Sequence, residues 1–282
     1  MNTAGPLLEA LSRPFAFPGT RLEAPNRIAY QPMEGNDAEP DGSPGELAFR
    51  RYRARAAGWP GLELTEAVAL NSAAKARPRQ LGLGPATAGA FARLVRAYRE
   101  VNPRTPLLWQ LTHSGRFALE PVSPFPIPGA RLLDDDALKR ISDDLAAVAR
   151  LAAATGADGV DFKLCHGYLF GALLAPANRA RPGWSYGGES LEQRARFLQE
   201  SLPRLRAELP AGRFLIATRI SVYEGLAGGF GSIGPESAEE DRRYRDLAAL
   251  CRLLEAGGVD LLNQSARSEE RRVGKECRSR GS

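Results

Sequence analysis

Only two histidines and three cysteines stand in this chain of 282 residues, and each scarcity excludes a class of protein. Cys165, Cys251 and Cys277 show no paired or metal-type spacing, so neither a disulfide framework nor a zinc site is expected. A metal-dependent hydrolase needs clustered histidine and carboxylate ligands, whereas His113 and His166 fall in separate segments. No apolar run reaches the roughly 18 residues needed to cross a bilayer, and the start, MNTAGPLLEALSRPFAFPG, lacks a basic segment followed by an apolar one. A cytoplasmic protein without a membrane partner is the expectation. The net charge is +5, but the last sixteen residues supply +3 and residues 1–266 only +2. A basic balance confined to one end gives little reason to expect a nucleic-acid partner.

What the chain does have is alternation. Short apolar segments recur at Asn26–Met33, Gly61–Leu70, Pro106–His113, Asp158–Cys165, Phe214–Ser221 and Val259–Ser265. Between them the spacing predicts helices over about 45–57, 86–101, 135–154, 190–208 and 238–256. Glycines at Gly58, Gly156 and Gly257–Gly258 stand where helices end, as left-handed C′ residues would. The segments after strands are the long ones: Glu34–Ser43, Ser114–Gly129, Gly167–Gly188 and Val222–Pro235.

Strictly repeated βα units with long post-strand loops predict an α/β fold of the TIM (β/α)8 type. An open doubly wound sheet is the competitor, but no G-x-G-x-x-G loop follows the first strand. Six strands are countable, so the expected barrel is incomplete, with strands seven and eight missing. From Arg267 to Arg280 (RSEERRVGKECRSR) the composition changes abruptly, and the segment resembles a translated sequencing adapter. Residues 267–282 are therefore expected to be a non-native or disordered basic tail.

Chemistry-bearing residues gather at predicted strand ends. Lys163, His166 and Tyr168 close the fourth segment, His113 and Gln110 the third, and Arg219 the fifth. Lysine and histidine can donate to an anionic oxygen and a tyrosine hydroxyl can deliver a proton. Each has a plainer reading: His166 as a loop histidine, Tyr168 as a packing residue, Lys163 as an ion-pair partner of Glu34 or Glu66, and Arg219 as a partner of Asp161 or Glu66.

In this order and spacing, NRIAYQPM, GLELTEA, WQLTHSGR, DGVDFKLCHGYLFGALLAPANRARPGWSYGGESLEQRARF and IATRIS resemble the old yellow enzyme family of FMN-dependent NADH:flavin oxidoreductases, over roughly residues 14–265. The run from HGYL to YGGESLEQRARF is the most specific part. The resemblance implies a flavoprotein with residues 1–266 as a truncated FMN-binding TIM barrel, FMN as cofactor and NADH or NADPH as reductant. It implies that Pro32 and Met33 lie along the flavin, that Gln110 bonds its pyrimidine edge, and that Arg219 faces its N1/O2 region. Lys163 and His166 would bind the carbonyl oxygen of a small electrophilic alkene, and Tyr168 would protonate the carbon α to it while hydride reaches the β-carbon.

Two positions depart from the family pattern. Lysine stands at 163 where the family usually has histidine, and Glu34 follows QPM where threonine or cysteine is common. Both suggest a divergent branch with its own flavin-dependent substrate. The family's phosphate-binding residues would follow strands seven and eight, so an inactive barrel fragment with at most a binding role is the alternative. The substrate, the choice of NADH or NADPH, and any homo-oligomer stay open.

Overall fold

The computed structural model describes residues 4–222, 224, 228–230 and 237–265. Helix α1 (Ala4–Ser12) leads into an antiparallel hairpin, β1 (Phe15–Ala16) and β2 (Glu23–Ala24). Then come β3 (Ala29–Tyr30), α2 (Glu46–Ala57), β4 (Leu62–Ala69), α3 (Ala88–Val101) and β5 (Leu107–Thr112). A small parallel ribbon, β6 (Val122–Ser123) and β7 (Arg131–Leu132), precedes α4 (Asp135–Ala154) and β8 (Gly159–Leu164). The rest is α5 (Leu169–Leu174), α6 (Leu191–Arg194), α7 (Arg196–Glu208), β9 (Leu215–Ser221), α8 (Ser237–Ala256) and β10 (Leu261–Ser265).

Six strands form one parallel sheet in the order β3-β4-β5-β8-β9-β10. Each strand pairs with its chain-order neighbour in the sheet, the βα-barrel arrangement expected from the alternation. The sheet curls far enough for the Asn263 amide on β10 to donate to Gln31, just past β3, at 2.8 Å.

Helices cover the outside because their apolar residues recur at helical spacing. On α3 the buried set is Ala90, Phe91, Leu94, Val95, Ala97 and Tyr98, packed with Trp109 and Val160 from the sheet. The α4 start is set by Asp134, whose side chain accepts from the Ala137 N–H at 2.7 Å.

Inside the curl, strand register stacks side chains in rungs. The lowest rung is Leu64, Leu108, Gly159 and Leu215, closed from below by Phe17 of the hairpin. Glycine is required at 159, since a Cβ there would lie 2.8 Å from Leu108 Cγ. Above it come Ala67, Gln110, Asp161 and Ala217, and higher still Lys163, Arg219 and Asn263. The interior therefore turns from apolar to charged toward the strand C-termini.

Three local expectations need correction. Gly58 is right-handed (φ −75°) and the reversal falls on Trp59 (φ 48°); glycine is needed at 58 because the Tyr30 hydroxyl packs where a Cβ would lie. The first segment, expected as Asn26–Met33, forms a ladder only at Ala29–Tyr30. The helix expected over 190–208 divides at Ala195. Gly156 and Gly258 do take positive φ, 86° and 84°. Much of the loop Val222–Pro235 and the whole 267–282 tail lie outside the described residues.

Candidate active site

At the C-terminal end of the sheet lies a cavity of about 280 Å3 lined by Gln31, Pro32, Met33, Glu34, Asn36, Ala67, Arg77, Gln110, Lys163, His166 and Arg219. Six of the seven residues to which the family resemblance gives a role line it. The strands explain why: period-two alternation turns Gln110, Lys163 and Arg219 inward, and the barrel curl points them at one another. Lys163 and Arg219 are register partners, as are Gln110 and Asp161.

Tyr168, the seventh, sits just behind this lining. Its ring is buried, tilted against Phe117 with centroids 5.6 Å apart, and the Lys163 ammonium lies 3.5 Å from its centroid. Lysine 163 thus bridges the tyrosine to the cavity.

His166 occupies the left-handed region (φ 63°), followed by Gly167 (φ 70°). A non-glycine residue there is uncommon and persists only when its surroundings hold it. Here the His166 N–H donates to Ser221 Oγ at 3.1 Å and the Gly167 N–H to the buried Glu224 carboxyl at 3.0 Å. Burial pushes the Glu224 carboxyl upward. The His166 ring is held as well, with Nε2 2.6 Å from Ser265 Oγ.

Beneath the lining, Asp161 is fully buried and accepts from the Gln110 amide at 2.7 Å through Oδ2. Desolvation pushes this carboxyl up to about 7, against the pull of that hydrogen bond and of the Arg219 and Lys163 charges. Its Oδ1 and the Arg219 Nε are buried without a hydrogen-bond partner among the described residues. The Arg219 charge pulls on Asp161, while Glu66 is taken by Arg51 and the Gly35 N–H. Lys163 pairs with Glu34 at 3.3 Å, again not with Glu66.

Several residues of this site were not singled out from sequence. Ser221, Glu224, Asn263, Ser265 and Arg77 act through contacts between distant segments, and no local pattern marks them. Asp161 carried a signal: a charged residue two positions before Lys163 in an apolar strand belongs on the same inward face. His113, just after β5, is not among the lining residues. It is buried, accepts from the Gly115 N–H at Nδ1 (3.1 Å), and burial pushes it down to about 4.

The geometry can hold a flat, polar-edged ligand. Gln110 spends its N–H on Asp161, which leaves the amide oxygen to accept from a ligand N–H. Arg219 offers a buried N–H to a ligand oxygen or nitrogen that gains negative charge.

Comparison with known proteins gives the family and the fold. The profile of the NADH:flavin oxidoreductase / NADH oxidase family matches residues 11–241. A NADH oxidase of Thermoanaerobacter brockii is 30% identical over 256 residues, 86% of this chain and 37% of that protein. A NADPH dehydrogenase of Listeria innocua is 28% identical over 251 residues, 85% of this chain and 69% of that protein. Among solved structures, the old yellow enzyme homologue from Zymomonas mobilis superposes with a TM-score of 0.75 at 24% identity, covering 90% of this chain and 73% of that one. The chain thus spans little more than a third of the first relative and about two thirds of the second.

Proposed function

The chain belongs to the NADH:flavin oxidoreductase / NADH oxidase family, and from that premise we propose that it serves an FMN-dependent NAD(P)H oxidoreductase activity that reduces an activated C=C bond. The observation that carries the reading is the convergence of Gln110, Lys163, His166 and Arg219 from three separate segments on one cavity beside buried Tyr168.

The residues present suit the cofactor. A cavity floored by the polar Gln110–Asp161 rung, with the Arg219 Nε buried and unmatched, matches a ring that has amide-like donors and acceptors along one edge. Pro32 and Met33 would lie along its face, Gln110 would accept from its pyrimidine edge, and Arg219 would sit where charge gathers on reduction. When bound, FMN supplies the two-electron carrier between NAD(P)H and the alkene.

The remaining work falls to this chain. Lys163 and His166 present donors to the substrate oxygen, drawing charge from the carbon to be reduced. The left-handed turn at 166–167, pinned by Ser221 and Glu224, fixes where the imidazole sits. Tyr168 carries a phenol O–H, which holds the proton for the adjoining carbon.

A flavin titration tests this reading. Purified chain should quench FMN fluorescence, and NADH or NADPH should bleach the bound flavin. Arg219→Ala should weaken FMN binding by about tenfold or more, the worth of a charge-assisted hydrogen bond. Tyr168→Phe should leave flavin bleaching intact and slow reoxidation by 2-cyclohexenone. Failure of added FMN to bind folded chain would overturn the cofactor assignment, and an unchanged reoxidation rate would remove Tyr168 from the proton step.

A further inference from the structure

Across the mouth of the cavity runs a chain of charges: Arg77, Glu34, Lys163. Arg77 pairs with Glu34 Oε2, and Lys163 Nζ lies 3.3 Å from Glu34 Oε1, so one carboxylate serves two cations. Lys163 is 4% exposed, Glu34 19% and Arg77 45%, so the chain leads from solvent into the site. Of the residues lining the cavity, Arg77, Lys163 and Arg219 are cationic and Glu34 is the one carboxylate. Glu34 stands on a segment, 31–39, with neither helix nor strand, whereas Lys163 is held on a central strand.

A neutral carbonyl oxygen is a weaker partner for an ammonium than a carboxylate is. A neutral ligand would therefore have to draw Lys163 from Glu34 at a loss. A ligand carboxylate would replace like with like, and Glu34 has an irregular backbone and a half-exposed arginine with which to move outward. We propose that the site takes an unsaturated substrate bearing a carboxylate, which enters between Lys163 and Arg77 in the place held by Glu34. As a statement about substrate it rests on the flavin-dependent reading above, while the carboxylate preference is a property of these three side chains.

The test is a pair of probes of nearly equal shape, benzoate and benzamide, titrated calorimetrically against the full chain with and without FMN. Benzoate should bind about tenfold more tightly than benzamide, as expected for a charge-assisted contact in a partly buried site. Glu34→Gln removes the competing charge and should widen the ratio further. Lys163→Gln should collapse it, and Arg77→Gln, at the exposed end where folding is not at stake, should narrow it. Equal binding of the two probes by wild type, or a ratio that Glu34→Gln leaves unchanged or narrows, overturns the proposal. A benzoate preference without FMN binding would sink the flavin reading but not this one. Flavin that binds and bleaches while the probes bind alike would do the reverse.

Discussion

Burial acts in opposite directions on Asp161 and His113, and their pH dependences oppose each other. The Asp161 carboxyl is pushed up to about 7 by desolvation, whereas an unfolded aspartate titrates near 4. The folded state therefore holds the extra proton between those values, and stability falls as pH rises from about 4 to 7. His113 is pushed down to about 4 by burial, against an unfolded value near 6.5. Its folded form stays neutral while the unfolded form takes a proton, so stability falls as pH drops from about 6.5 to 4. In the wild type the two slopes partly cancel, and single substitutions should unmask them. Glu63, also raised to about 7 by desolvation, adds to the Asp161 slope, so each variant is read against the wild type. Asp161→Asn should lose up to about 4 kcal/mol less than the wild type as pH rises from 4 to 7, and His113→Gln up to about 3 kcal/mol less as pH falls from 6.5 to 4. Urea denaturation across that range measures both, and parallel profiles for the two variants would contradict the assignment.

At the scale of elements, the division of the helix expected over 190–208 shows tertiary contacts overriding local pattern. Ser190 caps α6 in a reciprocal box with Gln193. Arg194 is then buried, with its guanidinium donating to the Leu174 carbonyl (2.9 Å), the Glu189 carbonyl (2.8 Å) and the Asp246 carboxylate on α8 (3.0 Å). Helix α7 restarts at Arg196 and runs through Pro203. Replacing a buried cation and leaving its acceptors behind costs about 3–5 kcal/mol, so Arg194→Met should lower stability by that order. Arg194→Lys should not restore it, because one ammonium cannot match a fork that reaches four separate acceptors, the Gly188 carbonyl being the fourth. A thermal shift below a few degrees in Arg194→Met would show that the guanidinium does not join α8 to the barrel. The strands themselves were legible, since five of the six expected segments agree with the observed ones to within about two residues at each end. The hairpin β1–β2 was not, because its two-residue strands carry no period and exist only by plugging the sheet interior with Phe17.

For the molecule as a whole, among the described residues β3 and β10 each have one neighbour in the sheet. Between their lower ends lies an apolar cleft of about 230 Å3 lined by Phe15, Phe17, Ile28, Leu62 and Leu261 among others. Leu262 and Ile28 are 37% and 48% exposed. Unpaired edges beside exposed apolar side chains template association. Sedimentation of the chain should show oligomers that grow with concentration, and Leu262→Lys, which places a charge on the edge, should shift the distribution toward monomer. A wild type that is monomeric at high concentration would show that the Asn263–Gln31 contact closes the seam well enough.

By itself the sequence determined which residues lie inward and which end of the sheet bears chemistry. Alternation places Gln110, Asp161, Lys163 and Arg219 on one face of successive strands, and long loops follow those strands. Tertiary structure alone decided the partners. Glu34 rather than Glu66 meets Lys163, Ser265 holds the His166 ring across 99 residues, and Arg77 enters the site from a loop without any local signal. The reason is physical: inward direction is a property of φ, ψ and side-chain period within one segment, while the choice among several nearby opposite charges depends on how far the sheet curls, which no single segment encodes.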